Sequence, residues 1–189
     1  MGGLNISKKL LNMRVQKSLN KLLKDLDNHL FLLKTSVENY STHSAFFISM
    51  ANELRTLVCK GKDHEDILPV LIKLFNFDES PYFKNKISLT KFLHQKNIIL
   101  NKKRYSNLEF IKILTTHSGE FIHIRKDTDY RFILGSQFVI NGISILNREL
   151  LIVAKDILHI GGSFLEYIKN LSTEDKEKIN NKYLKSIKK

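Results

Sequence analysis

The sequence predicts a mainly α protein: a helical bundle with a long N-terminal helix and a small extended or hairpin element in the middle third. Three observations carry this. Leu19, Leu22, Leu23, Leu26, Leu30, Leu33 and Val37 recur at three- and four-residue steps, as one helical face requires. Leu150, Leu151, Ala154, Ile157, Leu158, Phe164, Leu165 and Ile168 repeat the pattern toward the other end. Between them "NIILNKKRYS", 97–106, reads as two short extended pieces around a basic turn. The chain of 189 residues shows no internal repeat and no low-complexity linker, so a single domain over 1–189 is expected.

In chain order, the first periodic stretch predicts a helix from about Ser7 to Glu38. A helix that long forms the spine of a bundle or pairs with another chain. Ser41 or Thr42 can cap a second helix that turns Phe46, Phe47, Met50, Leu54, Leu57 and Val58 inward and ends near Gly61. "DHEDILPVLIKLF" starts a third, with its acids at the end where the helix dipole favours them and Pro69 near the first turn. "NFDESPYFKNK" reads as a loop and "ISLTKFL" as a short helix or turn.

The strongest local signal is "SNLE". Ser106 and Glu109 have the spacing of a capping box, with Phe110, Ile111 and Leu114 as the buried face behind it. Gly119 is placed where such a helix would stop. Beyond it two readings stand: a short helix capped by Asp127 or Thr128, or a hairpin in "FVINGISI" around its Asn-Gly pair. Inside the second long helix, Gly161 and Gly162 mark a break, a close helix crossing or a tolerated weak spot. "STEDKEKINNKYLKSIKK" is a charged, capped terminal helix.

Composition limits the setting. Cys59 stands alone, so no internal disulfide forms and nothing points to an oxidising compartment. "MGGLNISKKL" has no apolar core of a secretory signal, and its serine, Ser7, falls one position beyond a myristoylation pattern. No window reaches the roughly 18 unbroken apolar residues of a membrane span. A cytoplasmic protein without a membrane partner is expected.

The net charge of +12 is unevenly spread: from Pro81 to Leu108 there are seven basic residues and no acidic one. Such a block attracts polyanions. Tyr82, Phe83, Phe92 and Tyr105 lie among these cations, and rings of this kind stack on unpaired bases while cations follow the backbone. Lys96, Lys102, Lys103, Arg104 and Tyr105 are the expected nucleic-acid contacts, with RNA ahead of DNA. The bland counterpart is an ordinary lysine-rich solvated surface.

A second constellation is "LTTHSGEFIHIRKDTDYRF", 114–132. In an extended strand His123 and Arg125 would share a face, one titrating near neutral pH and the other holding a phosphate. With His117 as a second acid–base partner they suit metal-independent RNA cleavage by the neighbouring 2′-hydroxyl. A metal on His117, His123, Asp127 and Asp129 is another reading, but their spacing fits no metal signature, and no metal or cofactor is expected. In the third reading these groups cap helices and face water.

Long first helices, basic charge and a few polar residues in an apolar bundle resemble the HEPN-type helical domains of bacterial toxin and abortive-infection proteins. The resemblance implies a helical homodimer that binds or cleaves RNA, a phage-defence or toxin component. The hallmark of that class is an arginine followed by a histidine after four to six residues. Here Arg55 to His64 leaves eight and Arg148 to His159 leaves ten, so no catalytic residue carries over. The rival class is a non-enzymatic interaction module that self-associates or binds a protein partner through the long first helix.

Overall fold

The computed structural model describes residues 18–41, 44–59, 66–79, 88–122, 130–133, 137–140 and 143–187; between 115 and 147 only the backbone is described. Its architecture is the expected helical bundle with a small hairpin in the middle third. The helices are α1 (Leu19–Asn39), α2 (Ser44–Val58), α3 (Ile67–Leu74), α4 (Leu89–His94), α5 (Asn107–Ile122), α6 (Asn147–Asn170) and α7 (Thr173–Ile187). The strands β1 (Ile98–Leu100) and β2 (Lys103–Tyr105) form one antiparallel hairpin. A second small sheet joins β3 (Tyr130–Ile133), β4 (Gln137–Ile140) and β5 (Ile143–Leu146), in that order and antiparallel throughout.

The expected first helix is present but begins at Leu19 rather than near Ser7. Ser18 is extended, with φ −62° and ψ 153°, and its hydroxyl accepts from the Lys21 N–H at 3.2 Å. A serine can continue a helix or cap one, and here it caps. From that start Leu19, Leu22, Leu26, Leu30 and Leu33 all turn inward.

The spine of the bundle is not α1 but α2, which packs against α1, α3, α5 and α6. Met50, Ala51, Leu54 and Leu57 are completely buried. A helix apolar on several sides can serve as such a hub, whereas a one-faced helix lies on the outside. Two polar links cross the α1–α2 contact: His29 Nδ1 to Glu53 Oε2 at 2.6 Å, and the Ser36 hydroxyl to that of Ser49 at 2.8 Å.

Several local expectations hold. Pro69 is the third residue of α3, where its missing N–H leaves no helical bond unmade. The loop after α3 contains a 3-10 turn, Phe77–Glu79, and hides Phe77 completely. Phe75 and Phe77 meet Phe164 of α6 edge-on, with ring centroids 5.4 and 5.1 Å away.

Two expectations are corrected or settled. Gly119 does not end α5, which runs on to Ile122. The short helix after Asp127 gives way to strands: Tyr130–Ile133 pairs with β4, and the register Ile140 to Ile143 makes β4–β5 the hairpin. Gly161 and Gly162 lie within an unbroken α6. Among the described residues no helix is long and apolar enough to cross a membrane.

Candidate nucleic-acid interface

The β1–β2 hairpin is held by its inner face. Ile98 and Leu100 are buried, and Ile99 between them is exposed, as strand alternation requires. Leu100 pairs with Lys103 across a two-residue connection, Asn101–Lys102. Both connecting residues have positive φ, 49° and 64°, the left-handed geometry of a tight hairpin turn. Asn101 suits it; Lys102 has no such preference. The turn makes Lys102 the outermost cation.

The hairpin is clipped to the bundle from behind. The capping box is formed: the Glu109 N–H donates to the Ser106 hydroxyl at 3.1 Å, and the Ser106 N–H donates to Glu109 Oε2 at 2.7 Å. Buried Asn107 donates its side-chain amide to the Phe92 carbonyl at 2.8 Å and its backbone N–H to the Gln95 carbonyl at 3.0 Å. These bonds tie the end of α4 to the start of α5 directly behind the hairpin.

Lys96, Lys102, Lys103 and Arg104 are all exposed. They do not form one cluster. Residues paired across an antiparallel ribbon share a face, so Lys103 lies with Leu100, Ile98 and Tyr105, and Arg104 lies with Ile99 on the other side. The Lys103 ammonium sits 5.3 Å from the centre of the Tyr105 ring. That ring is half-buried against the core. Tyr105 therefore supports Lys103 and the hairpin while keeping part of its ring in water.

Glu109 is the acidic neighbour of this surface. Its carboxyl is held below the ordinary value, first by the Ser106 backbone N–H and then by the Ser106 hydroxyl, with Lys96 and Lys103 adding to the effect. Lys96 and Lys103 are the cations whose charge is felt at this carboxylate. Lys102 at the tip and Arg104 on the opposite face are not among the charges acting on it.

His123 and Arg125 lie outside the described residues, as do Asp127 and Asp129; His117 falls on α5, where the backbone alone is described. Among the described residues no three His, Cys, Asp or Glu side chains gather closely enough to hold a metal ion. Cys59 is buried, and burial pushes its thiol up from the ordinary value, against Lys112 and Arg55 and with Asp66. It has the character of a small core hydrophobe.

Sequence reasoning missed a groove of about 230 Å³ beside β1, lined by Ile98 and Ile99 of the hairpin and by the start of α6. Ile99 of β1 and Ile152 of α6 both line it, together with Asn97, Arg148 and Asp156. The signal for its α6 wall was the four-residue spacing of Arg148, Ile152 and Asp156, which puts them on one helical stripe. No family model, curated protein or solved structure matches the chain.

Proposed function

We propose that this protein binds nucleic acid through its phosphate backbone, RNA ahead of DNA, with the β1–β2 hairpin as the contact. One observation carries the reading. Lys102 sits at the tip of a hairpin clipped to the bundle, with Lys103 and Arg104 exposed on its two faces and Lys96 exposed just before its first strand. Between residues 88 and 113 the chain has one acidic residue, Glu109, and its carboxylate is engaged by Ser106. Placing cations on both faces of a narrow ribbon suits a flexible strand that bends over the tip, which favours single-stranded RNA as the first probe. A toxin or abortive-infection setting belongs to the same proposal and rests on helical architecture and charge. The proposal is one of binding, not cleavage.

The test is fluorescence anisotropy of labelled single-stranded RNA and DNA in rising salt. With three or four phosphate contacts to a single strand, affinity should drop about twenty- to fiftyfold between about 50 and about 200 mM NaCl. The double variant Lys102→Gln, Arg104→Gln should weaken binding to every sequence and flatten the salt slope. Absence of binding at low salt, or binding indifferent to salt, defeats the proposal. Unchanged affinity of the double variant removes the hairpin from it.

A further inference from the structure

We infer that the groove between β1 and the first turns of α6 receives one unpaired guanine base from the strand held at the hairpin. The inference rests on the nucleic-acid reading and gives that surface a base preference.

The walls come first. Ile99 is 54% exposed and Ile152 is 51% exposed, and they enter the same groove from two different elements. Large aliphatic side chains left in water tend to be covered by a ligand or partner when they share one cleft. A nucleobase is flat and apolar on its two faces, and a slot between two branched aliphatic side chains accepts that shape. A volume of about 230 Å³ accommodates one base and not a stack of them.

The end of the slot supplies the selectivity. Asp156 lies one turn beyond Ile152 and lines the groove. Its carboxylate has no hydrogen bond to any described side chain or backbone group. Asp156 is exposed, and the desolvation it does undergo on the groove side raises its carboxyl above the ordinary value, with the neighbouring His159 pulling the other way. An ionised carboxylate has acceptors only. Guanine presents two parallel donors, N1–H and the N2 amino group, which match its two oxygens. Adenine and cytosine set an acceptor beside their amino group, and uracil has one donor between two acceptors. Each would aim a lone pair at the carboxylate.

The rim suits the rest of the nucleotide. Arg104 is the cross-strand partner of Ile99, on the same face of the ribbon, and Arg148 lines the groove from the start of α6. Two guanidinium groups near the mouth offer bidentate sites for the phosphates flanking an inserted base and offset the negative charges of Asp156 and of Glu149, which also lines the groove.

The experiment uses short oligouridines carrying a central G, A, C or U, titrated into the full chain by anisotropy at low salt. The G oligomer should bind about tenfold tighter than the other three, the discrimination of one good bidentate pair. Asp156→Asn should abolish that preference and leave the uridine oligomer unchanged. Ile152→Ala should weaken only the G oligomer. Thermal melts verify that both variants fold. Equal, salt-sensitive binding of all four overturns the groove and leaves the phosphate reading standing. No binding of any oligomer overturns both. A preference for G that survives Asp156→Asn overturns the inference. An arginine-rich peptide that binds wild type but not Asp156→Asn, with no base preference among the oligomers, overturns it in favour of a basic protein segment.

Discussion

Asp156 and the Gly161–Gly162 pair show how single residues of α6 differ in what they do. The Asp156 carboxyl is raised in the folded state, mainly by desolvation. A raised acid binds its proton more readily when folded than when unfolded, so its ionisation costs stability above the folded value, and that cost disappears below the unfolded one. Asp156→Asn should therefore be more stable than wild type near neutral pH and no more stable at about pH 3, where both carboxyl forms are protonated. Urea denaturation at the two pH values measures this; a variant less stable at neutral pH contradicts it.

The two glycines predict opposite signs. A Cβ on Gly161 would lie 2.6 Å from Leu30 Cδ2 and 2.7 Å from Cδ1, while one on Gly162 meets nothing within 4 Å. Leu30 is itself buried in the contact of α1 with α6, so it has little room to yield. Gly161→Ala should destabilise by about 1 kcal/mol, an overpacking cost of roughly 1–3 reduced by the better helix propensity of alanine. Gly162→Ala should stabilise by about 1 kcal/mol. In a Leu30→Ala background Gly161→Ala should turn stabilising, and the double-mutant cycle in urea isolates that coupling.

At the scale of elements the hairpin turn is the informative case. Lys102 adopts φ 64°, a conformation that glycine takes freely and lysine at a cost of about 1 kcal/mol or more. Lys102→Gly should thus raise stability by about 0.5 kcal/mol, after the extra entropy of unfolded glycine, while weakening nucleic-acid binding. A control, Lys102→Gln, should weaken binding without the gain. Parallel denaturation and anisotropy curves read the two effects apart, and a Lys102→Gly variant less stable than Lys102→Gln would contradict the turn geometry.

Which elements were legible in the sequence follows from where their determinants lie. The capping box needs only Ser106 and Glu109, three residues apart, and the hairpin needs only "NIILNKKRYS"; both stand as read. The start of α1 was misread because helical periodicity cannot distinguish a serine that continues a helix from one that caps it, and Ser18 caps. The central place of α2 depends on four partners, none of which its own sequence names. Phe77 sits in a polar run that reads as loop, yet Phe164, far along the chain, buries it. The groove was invisible for the same reason: Ile99 and Ile152 are separated by more than one element and meet only in the fold.

At the scale of the whole molecule the excess charge of +12 acts on folding and on binding with opposite consequences. Like charges repel within the compact chain, and that repulsion weakens the folded state until salt screens it. Exposed pairs that salt would also screen include Lys34 with Glu38, and Lys178 with Glu174 and Asp175, all with both partners largely in water. Such exposed pairs contribute little. The repulsive term dominates, so the urea midpoint should rise as NaCl is raised from about 20 to about 300 mM, a range across which the screening length shortens from well over 10 Å to below it. Across the same titration, affinity for single-stranded RNA should fall as phosphate contacts lose their counterion-release gain. Loss of affinity accompanied by a falling midpoint would mean that salt unfolds the hairpin rather than competing with its ligand. A rising midpoint with falling affinity assigns the loss to the cations themselves, because the surface that carries them is then more stable at the salt concentration where it no longer binds.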